Sequence, residues 1–155
     1  GTAFVIDDVA YICCGDNNGT LVDDLWKFDG SDWKQLRDIA NNDSDEDYDD
    51  DYAITRAGTV SFVIDGRGYI ATGTRSGVTS DYWVYDPEED LWYGDSDDDY
   101  TPMTNVHNVS SGGSSRSYAV SFSTGKRGFV LSGSSGTSYF DDVYELLPYE
   151  QEDVD

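Results

Sequence analysis

Apolar and polar positions alternate in short bursts along this chain, with no helical arc anywhere. Ala3-Phe4-Val5-Ile6 breaks at Asp7-Asp8 and resumes as Ala10-Tyr11-Ile12-Cys13. Ser61 to Ile64 breaks at Asp65-Gly66 and resumes as Gly68-Tyr69-Ile70-Ala71, and Ser121 to Ser123 does the same around Gly125-Lys126. A two-residue polar break between apolar runs is a hairpin signal, because the tightest turns need φ > 0 and Asp-Gly tolerates it. Each second run ends on a glycine, at Gly15, Gly73 and Gly133. A polar loop then leads to a third run: DDLWKFD from Asp23, SDYWVYD from Ser80 and DDVYELL from Asp141. Trp33 and Trp92 seed a fourth strand in the first two copies, and the third copy has no such tryptophan. The pattern predicts an all-β chain of three repeated units, with an outer strand missing from the last. Repeats of this kind share a core between neighbours, since one unit is too small to bury its own apolar face. Phe4, Phe62 and Phe122 are therefore expected to be buried in equivalent places, as are Tyr11, Tyr69 and Phe129. Trp26, Trp83 and Tyr144 are expected to pack between units.

Four short strands per unit, punctuated by glycine and aromatic signatures, is the pattern of a propeller blade. The R-x-G/Y-x-V-S-F starts at Arg56 and Arg116, the strands GYIATG and GFVLSG, and the D-x-W-x-Y-D-P-x-x-D-x-W run from Asp81 to Trp92 carry a resemblance. The chain resembles Kelch-type β-propellers, close to the Kelch and galactose-oxidase-like propellers of exported Bacteroidetes proteins. It departs from them where the double glycine after the second strand is expected, because Cys14, Thr72 and Ser132 occupy the first position. The resemblance implies blades at residues 1–37, 56–93 and 116–147, acidic connections at 38–55 and 94–115, and an acidic tail at 148–155. Three blades do not close a ring of the usual four to eight, so further blades are expected from the same gene or from a second chain. The resemblance also implies an extracytoplasmic setting.

Charge narrows the choice of partner. The chain has 155 residues, 32 acidic against 9 basic, for a net charge of −23. Nucleic acid is disfavoured, because phosphate recognition needs a basic face. Anionic membrane surfaces are disfavoured for the same reason, and no run approaches the roughly 18 apolar residues of a membrane span.

Few residues suggest chemistry. Asp43 to Asp51 reads DSDEDYDDD and Asp95 to Asp99 reads DSDDD. Dense carboxylates could hold calcium, which makes Asp43, Asp45, Asp47, Asp95 and Asp97 the metal candidates and Ca²⁺ the one cofactor to consider. Tyr48 stands where an EF-hand needs glycine, and Ile54 where it needs the closing glutamate. A solvated, self-repelling loop is the preferred reading. Arg56 and Arg116 are the binding candidates: the resemblance puts them near a central channel, and the competing reading pairs each with a loop carboxylate. Asp24, Asp81 and Asp142 repeat and are read as acceptors for backbone groups of the preceding turn. Adjacent Cys13 and Cys14 are expected on opposite faces of a strand. His107 is the one histidine and lies beside no nucleophile elbow, so no catalytic set emerges. Asn18, Asn42 and Asn108 head glycosylation sequons. The expected function is a non-catalytic binding or scaffold module for a protein or glycan. The alternative is a propeller enzyme with its catalytic residues in other blades.

Overall fold

The computed structural model describes residues 1–40, 52–94 and 114–146, and the backbone of 106–108. Every regular element among them is a strand. The first unit holds β1 (Thr2–Ile6), β2 (Val9–Cys13), the small pair β3 (Asp16–Asn17) and β4 (Thr20–Leu21), β5 (Leu25–Phe28) and β6 (Trp33–Gln35). The second holds β7 (Val60–Ile64), β8 (Arg67–Ala71), β9 (Tyr82–Asp86) and β10 (Leu91–Gly94). The rest comprises β11 (Val106–Asn108), β12 (Val120–Ser123), β13 (Gly128–Leu131), the small pair β14 (Ser134–Ser135) and β15 (Ser138–Tyr139), and β16 (Val143–Leu146). Three four-stranded antiparallel sheets result, ordered β1-β2-β5-β6, β7-β8-β9-β10 and β12-β13-β16-β11.

The hairpins follow from their turn residues. Asp7 and Asp8 have φ of 49° and 64°, and Asp65 and Gly66 of 50° and 76°, so each pair makes a turn with two left-handed residues. Their twist matches that of the flanking strands. In the third unit Gly125 alone is left-handed, at 86°, and the backbone N–H of Thr124 donates to the carbonyl of Arg127 at 2.9 Å.

The third sheet corrects one expectation. It does not lack its outer strand: Val106 to Asn108 pairs with β16, opposite Leu146, Glu145 and Tyr144. In the first two sheets the outer strand follows in the chain, whereas here it comes from upstream. The tryptophan that marked the other outer strands is not needed to complete the ladder.

Stacking of the sheets depends on a missing side chain. An added Cβ on Gly68 would sit 2.2 Å from the ring of Phe4, and one on Gly128 would sit 2.4 Å from the ring of Phe62. Each phenylalanine thus fills a hollow in the next sheet, where only glycine leaves room. First strands also run side by side. The hydroxyl of Ser61 donates to the carbonyl of Ala3 at 2.7 Å, Ser121 to Ser61 at 2.7 Å and Ser123 to Val63 at 2.6 Å.

Two cores result. Between the first and second sheets lie Phe4, Tyr11, Leu25, Ile70, Tyr85 and Trp92, with Phe4 stacked on Tyr11 at 5.4 Å. Between the second and third lie Phe62, Ile64, Tyr69, Val84, Val130 and Tyr144. Aromatic pairs at such distances add roughly 0.5–1.5 kcal/mol beyond their buried area. The expectation for the third copy fails: Phe122 is 51% exposed, against 4% for Phe4 and Phe62, and Phe129 is only half-buried. Among the described residues their face of the third sheet meets no further sheet. Of the three repeated positions on the third strand, Tyr144 is buried while Trp26 and Trp83 are half-buried.

The second strands end on a left-handed residue even without the expected glycine. Cys14, Thr72 and Ser132 have φ of 63°, 60° and 59°. For β-branched Thr72 this is a strained conformation, and its buried hydroxyl has no hydrogen-bond partner. Replacing it removes both costs and adds glycine's unfolded-state entropy, a smaller opposing term. Thr72→Gly should therefore raise stability by about 1 kcal/mol. Chemical denaturation measures this directly, and a destabilised variant would contradict it.

Candidate functional site

The two arginines singled out above are the largest fully buried side chains among the described residues, each 0% exposed. Both lie in the segment that enters a new sheet, just before its first strand. Arg56 uses all five of its N–H donors. Nε donates to the carbonyl of Ile54 at 2.9 Å. One terminal nitrogen donates to the carbonyl of Thr72 and to Asp81 Oδ1 at 3.0 and 2.7 Å. The other donates to the carbonyl of Ala53 and to Asp81 Oδ2 at 2.9 and 3.0 Å. Arg116 repeats the arrangement, donating to the carbonyls of Ser114 and Ser132 and to both oxygens of Asp142. Its guanidinium also lies between the rings of Phe140 and Tyr144, 4.4 and 4.3 Å from their centroids.

These groups form clamps. A planar guanidinium suits them because it grips a carboxylate with two parallel bonds and still reaches carbonyls at its sides. Each clamp ties the chain entering a sheet to the end of that sheet's second strand and the start of its third. The carboxylate partners are the repeated Asp81 and Asp142, not the acidic runs, and their main role is to receive arginine. Asp81 also accepts from Thr79 and, at 3.3 Å, from Trp83 Nε1. In the first sheet Asp24 accepts from Trp26 Nε1 at 2.6 Å.

Electrostatics agrees with the geometry. Burial opposes the charge on Asp81, but the hydrogen bonds and charge of Arg56, with help from Thr79 and Trp83, outweigh it and hold its carboxyl below the ordinary range. At Asp142 the bonds from Arg116 dominate over burial, and the shift has the same direction. With every Arg56 donor satisfied inside the chain, neither it nor Asp81 offers a free group to a ligand.

An open polar pocket of about 240 Å³ lies beside the first clamp, walled by the loop from Arg75 to Thr79. Arg75 and Ser76 are exposed there. Sequence reading passed over Arg75. The signal available was a basic residue in the loop after the second strand, where the other copies carry none. At the opposite rim a second open pocket is lined by Asp7, Asp65, Asp86 and Glu88. Arg67 pairs with Asp86 at 3.2 Å, and Lys126 pairs with Asp65.

The calcium candidates Asp43, Asp45, Asp47, Asp95 and Asp97 lie outside the described residues. Among the described residues no group of three or more His, Cys, Asp and Glu could hold a metal ion. The bridge between Ala40 and Ala53 joins the two ends of the first acidic connection, and the carbonyl of Ala53 is one that Arg56 holds. Asn18 is exposed in the turn between β3 and β4.

The cysteines depart from the expectation of opposite faces, though not in their burial. Both are buried, and their sulfurs lie 3.6 Å apart on the same side. The left-handed backbone of Cys14 ends the strand's alternation and turns its side chain back toward Cys13. The hydrogen bond between them, followed by burial, pushes the Cys13 thiol well up.

Among known proteins, no family model and no curated protein matches the chain.

The clamp makes a pH-dependent prediction. Arg56→Met leaves Asp81 partly buried without its counter-charge, which should cost about 3 kcal/mol near neutral pH. Because Asp81 titrates lower in the fold than in the unfolded chain, the clamp's contribution is complete above the unfolded value of about 4 and is lost as pH falls below it. The stability gap between wild type and variant should accordingly narrow in denaturant melts carried into acid. A gap that stays constant across that range would contradict it.

Proposed function

We propose that the chain is a segment of a Kelch-type β-propeller that works as a non-catalytic binding or scaffold module. It presents the connections between its sheets to a protein or glycan partner in an extracytoplasmic setting. The observation that carries this reading is the clamp pair. The polar residues shared between the second and third copies, Arg56 with Asp81 and Arg116 with Asp142, are engaged in fixing chain entry into those two sheets. What differs between copies is the connections themselves, and these carry the acidic runs. Function on a repeated frame generally resides in such loops. Three antiparallel four-stranded sheets stacked face to face support the propeller architecture. The remaining blades would come from the same gene or from a second chain.

A net charge of −23 favours a cationic partner and a fast, salt-sensitive encounter. Calcium at Asp43, Asp45, Asp47, Asp95 and Asp97 would be held by diffuse attraction. Binding of the immobilised chain to a glycan array and to a panel of basic proteins tests this reading. Saturable binding is expected that weakens with salt and falls when residues 43–51 and 95–99 have their acids replaced by amides. Chemical turnover of a bound ligand, or binding indifferent to those replacements, would overturn it. Calorimetric titration with Ca²⁺ should give weak heat that disappears with added salt.

A further inference from the structure

Each contact between successive sheets is built by the same rule. A serine one residue before the phenylalanine of the incoming sheet donates to the previous strand. A glycine six residues after that phenylalanine makes the hollow for the previous sheet's ring. In the second sheet these are Ser61 and Gly68, and in the third Ser121 and Gly128. The knob is Phe4 for the first contact and Phe62 for the second, and both rings are 4% exposed.

The face of the third sheet turned away from the second has the same knob, with no sheet upon it among the described residues. Phe122 is 51% exposed and Val120 58%. Their counterparts Phe62 and Val60 are buried, as are Tyr69, Ala71, Tyr82 and Val84 around them. Phe129, Leu131 and Val143 complete the open face, with Phe122 stacked on Phe129 at 4.7 Å. Arg127, paired with Glu145, lies over the ring of Phe129. At the edge the pattern continues. The backbone N–H groups of Gly15 and Gly73 donate to the carbonyls of Arg56 and Arg116 in the next unit, at 2.8 and 2.7 Å. For Gly133 no such unit is present among the described residues.

The outer face of the first sheet does not meet the rule. Ala3 stands at the serine position and Ala10 at the glycine position. A methyl group at Gly68 or Gly128 would lie inside the ring it receives, so Ala10 fills the hollow that Phe122 would need. Ala3 has no hydroxyl to donate.

We propose that the Val120–Phe122 face is a docking surface for a further antiparallel sheet of the same repeat, one carrying serine and glycine at the positions of Ser121 and Gly128. An unmodified second copy of this chain, offering Ala3 and Ala10, is the wrong partner. A filled hollow opposite the knob keeps copies of these three sheets from adding to one another through this contact, the usual hazard of a heterologous interface. Docking here depends on sheet packing and not on what the loops bind, so failure of the binding role leaves it standing, and the reverse also holds.

Supplying the missing features tests it. The variant Ala3→Ser/Ala10→Gly should self-associate about tenfold or more tightly than wild type, measured by sedimentation at high ionic strength so that the shared negative charge is screened. Adding Phe122→Ala to that variant should return it to the monomer. Ala10→Gly alone provides the same comparison in a less altered chain, and melting curves confirm that each variant is folded. Equal association by wild type would identify an unmodified second copy as the occupant and overturn the proposal. A folded Ala3→Ser/Ala10→Gly variant that stays monomeric would overturn it as well, as would association that survives Phe122→Ala.

Discussion

The ring of a phenylalanine seated where the next sheet has no side chain is the contact on which this structure depends. Phe4 over Gly68 and Phe62 over Gly128 set how closely successive sheets approach. That spacing lets serine hydroxyls reach the neighbouring strand and brings the aromatic residues of β2, β9 and β10 together around Phe4. Tyr85 shows how tightly that core is drawn. Burial, then its hydrogen bond to Asp90, push its phenol far above the ordinary range. Close packing of this kind leaves little tolerance for added volume.

Much of the frame was readable from residue order. Alternation gave the strands, Asp-Asp and Asp-Gly gave the tight turns, and the repeat of Phe4 at Phe62 gave two of the three equivalent core positions. Phe122 failed for a physical reason. Burial of a repeated residue is decided by the sheet that lies upon it, which the residue's own strand does not encode. The outer strand of the third sheet was missed because Val106 to Asn108 is short, carries no tryptophan and precedes the unit it completes. The orientation of Cys14 was missed because strand alternation holds only while φ stays negative.

The clamps illustrate a different limit. Arg56 and Asp81 are 25 residues apart, and Arg116 and Asp142 are 26 apart. Both halves of each pair repeat in the sequence, so the pairing was latent there. With 32 acidic residues in the chain, however, any arginine has many candidate partners, and only geometry separates a buried bidentate pair from a solvated one. Once made, the clamp ranks as structure: the fully desolvated guanidinium of Arg56, with every donor satisfied, stabilises chain entry and has nothing left for a ligand. Among the described residues, the exposed Arg75 loop and the Phe122 face are what the frame presents outward.

Stacking of ring on glycine can be tested by adding one carbon atom. Gly68→Ala places a methyl group within the ring of Phe4, and the account predicts a loss of about 1–3 kcal/mol in chemical denaturation, the range for overpacking a closed core. Gly77→Ala is the control, because nothing lies within 4 Å of the added atom there and its φ is not left-handed. A Gly68→Ala variant as stable as the Gly77→Ala control would contradict the claim that the sheets are spaced by phenylalanine rings seated on glycine.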